Sequence, residues 1–153
     1  MIRTFQQHHL RPTRLLDGLW DFITDPDNKG ISEGWSSQFP TGSRKLVVPS
    51  CWNNELGTYD YIGAAWYRTH FETLQEANIR LVFEGILHHA DVYVDGQHIG
   101  YHFGGFTQFA MVLPHVAQGK HELIIRVDNT VDWQTLPTDI ADWHSYGGII
   151  RSV

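Results

Sequence analysis

Cysteine occurs once in these 153 residues, at Cys51. One thiol cannot close an internal disulfide, and no cysteine pair exists from which a zinc site could be built. Basic residues are also scarce. Eleven Lys and Arg stand against 17 Asp and Glu, a formal charge of −6, and no Lys/Arg run is interleaved with aromatics. That balance offers no basic face for phosphates and argues against a nucleic-acid partner. No apolar run approaches the roughly 20 residues of a membrane span, and Met1 to Leu10 holds no uninterrupted apolar stretch of the kind a secretory leader needs. The expectation is a cytoplasmic chain with no membrane partner.

Aromatic side chains are abundant instead: 6 Trp, 6 Tyr and 8 Phe, or 13% of the chain, while 14 Gly and 6 Pro are scattered as turn punctuation rather than gathered in long runs. A chain of this length is expected to form one domain, 1–153, and to bury about 70% of its extended surface. Asp91 to Phe106 shows how it is organised. Val92 and Val94 alternate with Tyr93, Asp95-Gly96 supplies the positive φ angles of a two-residue hairpin turn, and Ile99 resumes the alternation. Gly104-Gly105 then permits a sharp bend, and Tyr101, Phe103, Phe106 and Phe109 around it can close a sheet edge.

The same pattern recurs along the chain. Leu15 to Phe22 sets Trp20 and Phe22 against Leu19 and Asp21, and Asp25 to Gly30 is turn chemistry. Ile31 to Trp35 has room for one helical turn at most. Leu46-Val-Val-Pro49 is a short strand, and Trp66 to Phe71 alternates Trp66, Arg68 and His70 with Tyr67, Thr69 and Phe71, giving one apolar and one polar face. Arg80 to Glu84 and His121 to Asp128 follow suit, the latter with Leu123, Ile125 and Val127 inward. A last apolar strand, Ile149 to Val153, follows Gly147-Gly148 and breaks off unfinished, as in the front part of something longer. Strands separated by turns, with no helix of convincing length, predict an all-β, two-sheet antiparallel sandwich.

Two stretches carry candidate chemistry. Ser50 to Gly63 is polar, aromatic and without period, and presents Trp52, Asn53, Asn54, Tyr59 and Tyr61. Rings and amides suit sugars, but a tryptophan in such a loop is more often a plug over the core. Asn129 to Leu136 reads as a connection, continued by Pro137 to Tyr146. Among ten histidines, His98 and His102 lie four apart in the second hairpin strand and would share a face. Spacing indicates no third ligand, so no metal or cofactor is expected.

Taken together, Leu16-Asp-Gly-Leu-Trp-Asp-Phe22, Val48-Pro-Ser-Cys-Trp-Asn53, Ala65-Trp-Tyr-Arg-Thr-His-Phe71, Leu81-Val-Phe-Glu-Gly85, Ala90 to Phe109, Val127-Asp-Asn129 and Asp142-Trp-His-Ser-Tyr-Gly-Gly-Ile-Ile-Arg151 resemble the amino-terminal domain of glycoside hydrolase family two. This is the family of β-galactosidases, β-glucuronidases and β-mannosidases. The resemblance implies a galactose-binding-like jelly roll, followed in the family by an immunoglobulin-like domain and a TIM barrel that carries two catalytic glutamates. Neither later domain is present here, and no catalytic residue is expected in this chain.

The resemblance further implies that the loop before the final strand reaches toward the barrel, where an aspartate bonds hydroxyls of the sugar. Asp142 matches that aspartate, and Trp143, His144 and Tyr146 stand beside it as substrate-binding candidates. Asp142-Trp-His-Ser-Tyr146 leans toward β-glucuronidase over β-galactosidase, although His144-Ser145 departs from the Phe-Asn or Trp-Asn pair expected there. The implied partners are a β-glycoside substrate, the downstream domains of the same chain and further subunits in a homo-oligomer. A reading of another class is a free-standing carbohydrate-binding module, which would bind sugar by itself.

Overall fold

A computed structural model describes residues 12–131 and 144–153. Among the described residues ten strands appear in chain order: β1 (Gly18–Asp25), β2 (Arg44–Val48), β3 (Ala64–Thr73), β4 (Ala77–Phe83), β5 (Ile86–Leu87), β6 (His89–Val94), β7 (Gln97–Phe103), β8 (Phe109–Val116), β9 (Gly119–Asp128) and β10 (Gly148–Ile149). Six of them form one sheet in the order β2-β1-β3-β9-β6-β7. Opposite its inner face the second layer comes as two separate pairs, β4 with β8 and β5 with β10. Every pairing is antiparallel. The all-β antiparallel sandwich is therefore as the sequence predicts, with its smaller layer in two pieces.

Period-2 alternation builds the core. Trp20, Phe22, Tyr67, Val92, Leu123, Ile125 and Val127 point to one face of the large sheet and join Leu81, Phe83, Leu113, Ile86 and Ile149 in one buried cluster. Leu19, on the opposite face of β1, is 65% exposed. The alternation in β3 predicts a polar outer face, but that face is apolar in part. Trp66 and Ile124 are buried there beneath Trp35 and Phe39 from the segment between β1 and β2. That segment makes turns and no helix: Glu33 N–H reaches Lys29 O and Trp35 N–H reaches Gly30 O. Asp25 anchors it, accepting from the amides of Lys29 and Gly30 and from Trp66 Nε1. A Cβ at position 30 would fall 2.5 Å from Trp66 Nε1, so the approach requires glycine.

Strand limits shift accordingly. The first strand runs over Gly18–Asp25, later than the expected Leu15 to Phe22: its ladder with β2 begins at Gly18 opposite Val48, while Leu16 donates to Val153 O and accepts from Trp20 Nε1 at 2.8 Å. The last strand is only Gly148–Ile149. Beyond it the amides of Ile150 and Arg151 both bond Gly85 O, which breaks the ladder. Ser152 O still accepts from Glu84 N–H, and Val153 O from Leu16 N–H.

The hairpin of β6 and β7 turns at Asp95 and Gly96, with φ of 49° and 79°. Asp95 also accepts from His121 on β9 at 2.7 Å. The other ring nitrogen of His121 lies 2.9 Å from Ala117 O, a pair of acceptors that suits the doubly protonated ring. The Asp95 hydrogen bond accordingly raises the His121 pKa, against a smaller opposing effect of burial. Along β7 the register shifts: Tyr93 faces His98, but Val92 faces Gly100. The extra residue inverts the parity of the strand, so His98 joins Asp91 and Tyr93 on the outer face while His102 stacks on Phe109 at 3.8 Å. The two histidines thus do not share a face. Phe109 in turn stacks on Phe83 in the core, whereas Tyr101 and Phe106 stay more than half exposed.

Candidate functional site

The stretch from Ser50 to Gly63 and the chain around Ser145 to Gly148 meet at one end of the sandwich. Trp52, at 0% exposure, is the plug expected of it. Its ring packs on Phe22, Tyr61 and Tyr67, and Nε1 donates to Tyr61 O at 3.3 Å. Gly147 lies flat on that indole. A Cβ there would come within 2.0 Å of Trp52 Cζ2, so a strand carrying any side chain could not pass.

Two buried asparagines join the stretches. Asn53 Oδ1 accepts from Gly147 N–H at 2.8 Å, and Nδ2 donates to Tyr59 O at 2.9 Å, Tyr61 O at 3.1 Å and Thr58 O at 3.3 Å. Asn129, directly after β9, accepts from Gly63 N–H at 2.8 Å and donates to Ser145 O at 2.9 Å. Ser145 Oγ returns a bond to Asn129 O at 3.0 Å and lies 3.5 Å from His88 Nε2. Residues 129 and 145 are therefore held against one another by reciprocal bonds on either side of segment 132–143. An amide is the side chain for this work, since it gives and takes bonds at one buried point without carrying charge.

Of the residues singled out in the sequence, Asp142 and Trp143 lie outside the described residues. His144 and Tyr146 are described, both exposed, and their rings meet edge to face at 5.0 Å. A third ring joins them from the other stretch: Tyr59, 70% exposed, stacks on His144 with centroids 5.9 Å apart and planes 29° from parallel. Tyr61 has a different part. Its hydroxyl donates to Ala64 O at 2.5 Å and accepts from Asp25 N–H, and burial pushes its pKa up to about 12. Ser145 departs from the expected asparagine, and it is buried at 7% exposure as a hydrogen-bonded hydroxyl.

Asn129 and Ser145 were given no role by sequence reasoning, and Asn53, offered there as an amide suited to sugar, is instead 1% exposed with its amide spent on backbone groups. The signal was faint: an asparagine after a tryptophan and another closing an apolar strand, both within stretches that carry the family resemblance. Among the described residues, no group of three or more His, Cys, Asp and Glu could hold a metal ion. No helix among them is long and apolar enough to cross a membrane.

Comparison with known proteins agrees with this architecture. The family model for the glycosyl hydrolases family 2 sugar binding domain matches residues 57–153. A β-glucuronidase of Paenibacillus borealis is 33% identical over 135 residues, which make up 83% of this chain and 23% of that protein. The solved β-glucuronidase of Ruminococcus gnavus in complex with uronic isofagomine superposes with a TM-score of 0.84 at 27% identity, over 95% of this chain and 28% of that one. A β-galacturonidase of Eisenbergiella tayi bound to galacturonate reaches 0.76 at 36% identity, covering 99% of this chain and 25% of that one. The chain thus spans about a quarter of the length of these relatives.

Proposed function

Because this chain belongs to the glycosyl hydrolases of family 2, carrying their sugar-binding domain, we propose that it is the non-catalytic amino-terminal domain of a retaining β-glycosidase, a β-glucuronidase before a β-galactosidase. The relatives support the class of sugar, since two are named β-glucuronidases and a third is named a β-galacturonidase and holds galacturonate. In this reading the acid and the nucleophile, about 5 Å apart in a retaining enzyme, come from a further domain of the same polypeptide. This chain contributes recognition.

Asp142 is the residue assigned to that task. A carboxylate accepts two strong hydrogen bonds from adjacent sugar hydroxyls and needs no proton of its own. The single observation that supports it is the paired anchoring of Asn129 to Ser145 and of Asn53 to Gly147. Both flanks of the segment containing Asp142 are thereby pinned to a rigid sheet end, and a site residue needs such a base to hold its position to within about half an ångström.

The test is Asp142→Asn in the complete gene product, assayed with the nitrophenyl β-glucuronide, β-galacturonide and β-galactoside. Two charge-assisted hydrogen bonds, each about 1.5–3 kcal/mol, correspond to a loss in kcat/KM of roughly a hundredfold or more on the preferred substrate. Unchanged turnover on all three would remove Asp142 from the site. The exposed Tyr59 ring favours a second reading, a carbohydrate-binding module, which predicts sugar binding by residues 1–153 alone and no hydrolysis by the complete product.

A further inference from the structure

We propose that Tyr59 is a specificity-determining residue of this same site, where its ring forms with His144 and Tyr146 an aromatic corner that stacks a flat group on the leaving-group side of the substrate. The inference rests on the reading that the residues around Asp142 face substrate.

Three aromatic side chains lie on the stretch from Ser50 to Gly63, and two have fully internal tasks. Trp52 is buried in the core, and Tyr61 spends its hydroxyl on Ala64 O and the Asp25 amide. Tyr59 is the one whose ring is turned outward, at 70% exposure. It is not loosely held. Its carbonyl is bonded by Asn53 Nδ2 at 2.9 Å, its neighbour Thr58 is buried with Oγ1 on Trp52 O at 2.7 Å, and Tyr61 N–H closes a turn onto Thr58 O. The ring stacks on His144, whose imidazole also meets Tyr146 edge to face.

An exposed aromatic held on a rigid base and already ordered by a stacking neighbour loses little freedom when a ligand covers its open face. The chemistry it offers is dispersion and the electron-rich face of a ring, which suits either an aryl leaving group or the C–H face of a second sugar. It does not suit the hydroxyl- and carboxylate-bearing unit that Asp142 is assigned to hold. Asn53 connects the two, since it bonds the Tyr59 carbonyl with one end of its amide and Gly147, beside Tyr146, with the other.

The experiment compares Tyr59→Ala, Tyr59→Phe and Asp142→Asn in the complete gene product. Three substrates share the preferred glycone and differ in leaving group: nitrophenyl, a second sugar and methyl. The expected result for Tyr59→Ala is a KM raised about 3- to 10-fold for the nitrophenyl glycoside, with kcat within twofold and the methyl glycoside unaffected. Tyr59→Phe retains the wild-type KM. A rise on the disaccharide as well extends the platform to sugar faces, and no rise there confines it to aryl groups. Equal losses on methyl and nitrophenyl glycosides, or no change on any substrate, would overturn the proposal. Asp142→Asn separates the two levels: if it lowers turnover on all three substrates while Tyr59→Ala does nothing, only the aromatic corner fails. If Asp142→Asn is silent, the reading beneath fails and takes the corner with it. Because the ring is so exposed, Tyr59→Ala should melt with the wild type, and the kinetic effect is then not one of folding.

Discussion

Asn53→Ala tests whether the buried amides carry the energy that their geometry implies. Asn53 is 1% exposed and makes its two shortest bonds with Gly147 N–H and Tyr59 O, at 2.8 and 2.9 Å. Truncation leaves both groups without that partner and opens a polar hole that the packed indole of Trp52 cannot fill. Each buried group stripped of its bond costs about 1–3 kcal/mol. Tyr61 O adds little to the sum, because Trp52 Nε1 and Asn129 Nδ2 also donate to it. The loss should be roughly 3–4 kcal/mol, a large part of the 5–15 kcal/mol that stabilises a typical domain. At this chain length that is a drop in Tm of about 10 °C. The assay is urea denaturation followed by tryptophan fluorescence, with Asn54→Ala as control. Asn54 is the next residue but exposed, so its truncation should cost less than about 0.5 kcal/mol. A cost below about 1 kcal/mol for Asn53→Ala, or equal costs for the two variants, would refute the reasoning.

Gly147→Ala should be worse tolerated than its single methyl suggests. With Trp52 Cζ2 only 2.0 Å from the new Cβ, either the indole or the strand must move, and a loss of more than about 3 kcal/mol should show as poor soluble yield and a lowered melting temperature. His121 predicts a pH dependence. Its folded-state pKa is raised above the ordinary 6.5 by Asp95, so the stabilisation is complete below that value and fades as pH rises through the folded pKa. Urea midpoints measured from pH 5 to 9 should therefore fall across the neutral range in the wild type. Asp95→Asn should flatten that slope, since asparagine accepts the positive φ of the turn but not the ion pair. A slope retained in that variant would assign the effect to another group.

Where one face of a strand is buried and the other is not, the alternation of side chains gave the fold away. Trp20 and Phe22 lie inward and Leu19 outward, as the pattern in β1 demands. Two departures had no such signature. The extra residue that inverts β7 leaves an Asp-Gly turn looking like an ordinary two-residue hairpin, so His98 and His102 seemed to share a face until the register with β6 was known. The cover over Trp66 comes from Trp35 and Phe39 in an aperiodic, turn-rich segment, where neither spacing nor propensity says which way a ring points.

The candidate site was legible in a different sense. Asp142, Trp143, His144 and Tyr146 came from resemblance, and no local pattern would have chosen them. The asparagines that hold the flanks were hidden because asparagine is read by default as a turn or surface residue. Its burial is acceptable only when distant backbone groups complete its hydrogen bonds, here Gly147 N–H for Asn53 and Gly63 N–H for Asn129. The short stretches that carry the resemblance, Val48 to Asn53, Val127 to Asn129 and Asp142 to Arg151, are far apart along the chain, yet the hydrogen bonds of Asn53, Asn129 and Ser145 tie them together at one end of the sandwich. Their described polar residues therefore act through backbone partners at the base of segment 132–143. What such residues specify is the anchorage of the segment between them, and in the proposed reading the side chain that contacts sugar is a separate choice made within that segment.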